Sequence, residues 1–334
     1  MVDIMGKKNI LYAISGALFV AGVLALVIFG LKPGIDFTGG SLIELNFRQA
    51  RPAAPDVQRL LSPLNLGTVV VQTAGEDGLL LRTRFITEQE HQRVLQVFRG
   101  DSPSGTIVAA PLTTSTAIAG SAVRSVGKAE IEISTGTPRV IEKRFETIGG
   151  TVSKQLRQRA LTASIIIILV IVAFVAYAFR KVSRPVESWK YGVAAVLAMI
   201  HDVTITAGVF AVLGKYLGVE IDIAFLVAML TVFGYSVNDT IVVFDRIREN
   251  LIRHSAENFT ATVNAAVNQT MARSVNTSLT TLIVLVVLFF VGGETIHYFA
   301  LALIIGIFLG TYSSIFVASS LLVSSEEWRR RNRE

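Results

Sequence analysis

The chain contains no cysteine, which excludes disulfides, thiolate metal sites, iron–sulfur clusters and a cysteine nucleophile. Its four histidines, His91, His201, His254 and His297, are too scattered to supply the close pairs of a zinc site. Charge is scarce as well: 17% of the 334 residues are Asp, Glu, Lys or Arg, whereas 51% are hydrophobic, and the mean hydropathy is +0.57. A water-soluble chain of this size does not have that balance. The Gly-x-x-x-x-Gly-Lys-Ser/Thr string is absent, so no nucleotide site is expected. Gly-x-Ser-x-Gly, His-Glu-x-x-His and Gly-x-Gly-Asp are absent too, which leaves a hydrolase only Asp202 and Asp239 as an intramembrane dyad. No metal, cofactor or enzymatic activity is expected.

What is abundant is apolar sequence in long runs. A membrane helix needs about 20 apolar residues, and six stretches qualify: 10–31, 160–179, 192–213, 223–244, 274–291 and 296–323. The first is too long for a signal-peptide core and runs into Lys32-Pro33-Gly34 without a small-residue cleavage pattern, so it is expected to be retained. Basic residues fall at alternate loops. Lys7 and Lys8 precede the first run, Arg180, Lys181, Arg184 and Lys190 follow the second, Arg246, Arg248 and Arg253 follow the fourth, and Arg329, Arg330, Arg331 and Arg333 end the chain. The opposite short loops hold only Lys215. The excess of Lys and Arg on the inner side places both termini in the cytoplasm and explains the net charge of +6 without nucleic acid.

The expected fold class is a polytopic α-helical membrane protein with six transmembrane helices and one extracytoplasmic α+β, ferredoxin-like domain between the first two. The corresponding segments are 1–34, a head at 35–158, helices over 159–323 with a cytoplasmic amphipathic connector at 246–272, and a basic tail at 324–334. Within the head, strands are expected at 41–47, 68–73, 79–85 and 140–148, and helices at 56–64 and 88–98. The Ser-, Thr- and Gly-rich stretch 102–138 reads as an insertion or second lobe.

An ionisable residue at the bilayer centre costs roughly 2.5 to 3.5 kcal/mol on insertion scales, so each one requires a partner or a wet cavity. Asp239 in the fourth run and Arg273 at the start of the fifth lie at the same end, where they are expected to meet as a structural ion pair or a proton relay. Asn276, Thr277 and Thr280 share a helical face with Arg273, and Asn238 adjoins Asp239. His201 and Asp202 are a second polar pair, a proton carrier or a packing element. Ala302, Gly306, Gly310, Ser314 and Ala318 form a small-residue stripe for close helix packing. The Gly39-Gly40 and Gly149-Gly150 pairs flank the head as candidate hinges.

These residues resemble the SecF subunits of the bacterial SecD–SecF protein translocation accessory complex, relatives of the resistance-nodulation-cell-division exporters. The resemblance rests on IDFTGGS at 35–41 with Asp36, His201-Asp202, VFGYSVNDTIVVFDRIREN at 232–250 and ARSVNTSLTT at 272–281. It implies the bacterial cytoplasmic membrane, a complex with SecD, association with the SecYEG channel, and use of the proton gradient to draw a secretory preprotein outward. It also implies that Asp239 and Arg273 belong to the proton pathway. Half of a proton-driven small-molecule or lipid exporter is the alternative.

Overall fold

The computed structural model describes residues 2–48, 51–75, 77–99, 140–178, 186–253 and 258–332. The expected lobe at 102–138, His254, Arg180, Lys181, Arg184 and Arg333 lie outside them. Two compact units are present, one of residues 1–32 and 160–334 and the other of residues 33–159.

In the first unit, six helices among the described residues are long and apolar enough to cross a membrane. They are α1 (Lys8–Phe29), α5 (Gly150–Ala178, which starts in the other unit), α6 (Ser188–Leu217), α7 (Ile223–Ile252), α8 (Phe259–Val291) and a composite of α9 (Glu294–Tyr312) and α10 (Ser319–Arg331). A π-helical turn, Ser313–Ala318, joins the last two. The inner helices are α6, α7 and the composite; α1, α5 and α8 bury far less of their length. Large apolar side chains such as Val27, Leu169, Phe290 and Phe308 are exposed, an arrangement that water penalises and hydrocarbon does not. Asp222 caps α7 by accepting from the Phe225 amide at 2.8 Å, and Asn258 caps α8 by accepting from Ala261, as the free amides of a helix start require.

One expectation differs from the structure. The segment 246–272 is not a separate surface helix, because α7 runs through it to Ile252 and α8 begins at Phe259. The charged string DRIREN continues α7 through ion pairs one turn apart, Asp245–Arg248 and Arg246–Glu249, which support a helix rather than end it. The helix of the sixth run continues beyond its apolar part to Arg331.

Small residues set the crossings. An added Cβ at Gly306 would fall 2.2 Å from Val232 of α7, and one at Gly310 would fall 3.2 Å from Ser236. The stripe that continues through Ala302, Ser314 and Ala318, all fully buried, therefore packs at these glycines against α7 of the same chain. On α1 the close contact is Gly22, whose Cα lies 2.5 Å from where a Cβ on Gly208 of α6 would be. The start of the chain is gripped by α8: Asn264 Oδ1 accepts from the Ile4 and Met5 amides, and Asn268 Oδ1 accepts from that of Val2.

The second unit holds the one-turn helix α2 (Ile35–Thr38), β1 (Gly40–Phe47), α3 (Ala54–Leu61), β2 (Val70–Ala74), β3 (Gly78–Thr83), α4 (Glu88–Arg99) and β4 (Val140–Ile148). Its antiparallel sheet has the order β2-β3-β1-β4, so β1 and β2, joined through α3, lie on either side of β3. The alternation of side chains along a strand puts Ile43, Leu45 and Phe47 of β1 and Leu79 and Leu81 of β3 in one core with Val57 and Leu61 of α3 and Val94, Leu95 and Phe98 of α4. The register of β1 against β4 shifts between Glu44 and Leu45, where Lys143 is the extra residue of a bulge. At the start of α4, Thr87 and Glu90 form a reciprocal capping box. The Arg84 guanidinium and the Thr87 amide together hold the Glu90 carboxyl down at about 2.

Candidate functional site

The polar groups of the membrane core collect where α6, α7, α8 and the π-helical turn converge. Asp239 of α7 is buried. Its Oδ1 accepts from Ser274 Oγ of α8 at 2.5 Å, and its Oδ2 is buried without a hydrogen-bond partner. Arg273, the residue expected to meet it, makes no ion pair with it and lies exposed, as do Asn276, Thr277 and Thr280 on the same face of α8 and Asn238 on α7. Helix geometry gives the reason. Consecutive residues stand about 100° apart, so once Ser274 turns inward to Asp239, Arg273 turns away. The Thr277 hydroxyl donates to the Arg273 carbonyl and the Thr280 hydroxyl to that of Thr277, so both threonines are tied to their own helix.

His201 and Asp202 do come together, both buried on α6 with Nδ1 and Oδ1 3.0 Å apart. Asp202 Oδ2 accepts from Ser236 of α7 at 2.8 Å and from Ser313 at 2.6 Å. Ser314 bonds with Thr240, the neighbour of Asp239, at 2.9 Å. Wider π spacing lets Ser313 and Ser314, adjacent in sequence, serve α6 and α7 respectively. A further chain runs from Tyr235 to Ser278 to Thr311, linking α7, α8 and α9. Asp202 and Asp239 bond to different side chains. Sequence alone singled out neither Ser274 nor Ser313, and Ser314 only as a packing residue; the signal was there, since hydroxyls in an apolar span must find acceptors within the protein.

At the start of the head, Asp36 is buried in α2. Gly39 and Gly40 have φ of 75° and 120°. A Cβ on Gly40 would lie 2.6 Å from the Thr83 carbonyl oxygen, and one on Gly39 would lie 3.2 Å from Gly150 Cα. Only glycine allows both the conformation and the approach. At Gly149 and Gly150 an added Cβ would meet nothing within 4 Å.

A bundle of apolar helices whose inner members carry buried carboxylates, with one α+β domain after the first, defines a polytopic membrane protein. The comparisons narrow the class. The sequence profile of the protein export membrane protein SecD/SecF C-terminal region matches residues 129–328, and that of the SecD/SecF GG motif matches residues 24–50, around Gly39-Gly40. The chain belongs to the SecD/SecF family. Its full-length relatives include the protein translocase subunit SecF of Thermobaculum terrenum, 39% identical over 98% of this chain and 94% of that one. The SecF of Anaerolinea thermophila is 35% identical over 98% and 96%. The crystal structure of SecDF from Thermus thermophilus, a translocon-associated membrane protein, superposes with a TM-score of 0.74 at 29% identity. That match covers 99% of this chain, which spans 39% of the SecDF polypeptide.

Proposed function

We propose that this chain is a non-enzymatic, proton-coupled subunit of Sec-dependent protein export, in which Asp239 takes up and releases a proton and the change moves the extracytoplasmic head. The observation that carries the reading is the half-satisfied carboxylate: one oxygen of Asp239 is bonded to Ser274 and the other is buried and bare. A purely structural aspartate is expected to have both oxygens satisfied. The exposed strip of Arg273, Asn276, Thr277 and Thr280 supports the same reading, because a guanidinium and an amide facing hydrocarbon call for a covering partner helix. SecD is that partner, and the complex serves a secretory preprotein emerging from SecYEG in the bacterial cytoplasmic membrane. Arg273 then joins the pathway at the interface between subunits, by water or partner side chains. Full-length relatives named as translocase subunits favour this over half of a small-molecule or lipid exporter.

Asp239→Asn tests the proposal. It keeps shape and removes titration, so the variant should insert and assemble while losing the proton-gradient-stimulated part of secretion in membrane vesicles, with at least a tenfold drop. Normal assembly with undiminished gradient-stimulated secretion would refute the relay.

A further inference from the structure

The pair on α6 is more elaborate than a helix contact needs. Asp202 is completely buried, and three groups converge on its carboxylate: His201 Nδ1 on Oδ1, and the Ser236 and Ser313 hydroxyls on Oδ2. An ionised carboxylate accepts only, so this set of neighbours suits the anion. It also fixes the imidazole tautomer, with the proton on Nδ1 and a lone pair left on Nε2. That Nε2 is buried and has no hydrogen-bond partner, on a residue only 6% exposed.

We infer that His201 and Asp202 form a second proton-binding site within the membrane core, which takes one proton at His201 Nε2. The inference rests on the reading of the chain as proton-coupled. Protonation would turn a buried pair of net charge −1 into an internally neutral imidazolium–carboxylate pair, and buried charges are tolerated when paired and hydrogen-bonded.

Among the described residues, the polar and titratable groups on the packed elements are few. From α1, Phe19 lies parallel to the His201 ring with centroids 6.2 Å apart, and Ser15 bonds the Tyr312 hydroxyl. From α7 come Ser236 and, one turn on, Asp239, whose bond goes to Ser274. From the π-helical turn comes Ser313. Among the described residues, the ion pair of Asp202 is with His201 alone. Ser313 gives the site an output: its bond to Asp202 ties the charge of the pair to the one turn where the last helix leaves α-geometry, and Ser314 beside it reaches Thr240 next to Asp239. The Asp202 site and the Ser314–Thr240 contact thus meet at one turn, while Asp239 bonds Ser274 separately.

Nitrogen-15 NMR of histidine-labelled full-length protein in lipid bilayers tests this directly. The His201 signals are identified by their loss in His201→Gln, or in a chain where His91, His254 and His297 are replaced instead. Nε2 should be unprotonated at alkaline pH and become protonated on acidification. Asp202→Asn should cut the protonated fraction at a given pH at least tenfold. An Nε2 that never titrates, or one that carries the proton throughout, overturns the inference whatever the variants do. Asp239→Asn run in parallel separates the two claims. Loss of gradient-stimulated secretion in that variant, with a non-titrating His201, would sink this inference alone. A titrating His201 with normal secretion in Asp239→Asn would leave the second site standing and sink the relay at Asp239.

Discussion

The imidazole of His91 lies flat on the Phe145 ring, centroids 3.7 Å apart, with Glu142 at Nε2 and Glu88 at Nδ1. Burial works against the charged ring, but hydrogen bonds and attraction from Glu142 and then Glu88 outweigh it and raise the pKa above its ordinary value. A raised histidine pKa stabilises the fold fully below the unfolded value of about 6.5, and that contribution is lost as pH rises through the higher folded value. Protection factors of the α4 and β4 amides in the full chain, that is exchange corrected for its intrinsic pH dependence, should therefore be larger at about pH 6 than at about pH 8, and His91→Gln should erase the difference. A difference that persists in the variant would put the effect elsewhere. None of this was legible in sequence, because Glu142 is 51 residues from His91. Asp239 was legible, since a carboxylate in an apolar run announces itself. Its neighbour was not: sequence favours the opposite charge at Arg273, whereas helix phase selects Ser274.

At the level of single elements, the composite α9–α10 shows what a pattern reveals and what it hides. Its stripe of small residues was plain at four-residue spacing, and α7 is what the stripe packs against. The π-helical turn was hidden, because it depends on where Asp202 and Thr240 offer partners to Ser313 and Ser314. A leucine at Gly306 would have to displace Val232, an overpacking that costs about 1 to 3 kcal/mol in typical cores. Gly306→Leu should accordingly lower the melting temperature in detergent while leaving membrane insertion intact, since apolarity rises. An unchanged melting temperature would mean that α7 and α9 part without cost. The extension of α7 through DRIREN was misread because a charged amphipathic string describes a surface helix and the exposed end of a spanning helix equally well.

For the whole molecule, the six spans and the intervening domain were readable because hydropathy and length suffice to find them. The charge pattern further predicts sidedness, which cysteine labelling can check in a chain that has no cysteine of its own. Arg59→Cys in α3 should react with a membrane-impermeant reagent added from outside, and Arg253→Cys after α7 should not. The reverse pattern would invert the topology. Which faces are left for partners was not readable, since the polar strip around Arg273 resembles an internal face until the helix is placed.

The crossing of α1 over α6 carries a consequence for how this family can change over generations. Where the Cα of one glycine occupies the space of the other's missing side chain, as at Gly22 and Gly208, the two positions are not free to drift separately. Alanine at 208 would force the backbones apart and loosen every contact along that helix pair, whereas the same change would be mild in a background where α1 had already shifted. The positions should therefore show strong epistasis: the double replacement Gly22→Ala with Gly208→Ala should depart from additivity by about 0.5 to 3 kcal/mol, and lineages should hold this pair fixed or exchange it together. Additive losses in a double-mutant cycle would show the crossing to be more pliable than its geometry implies.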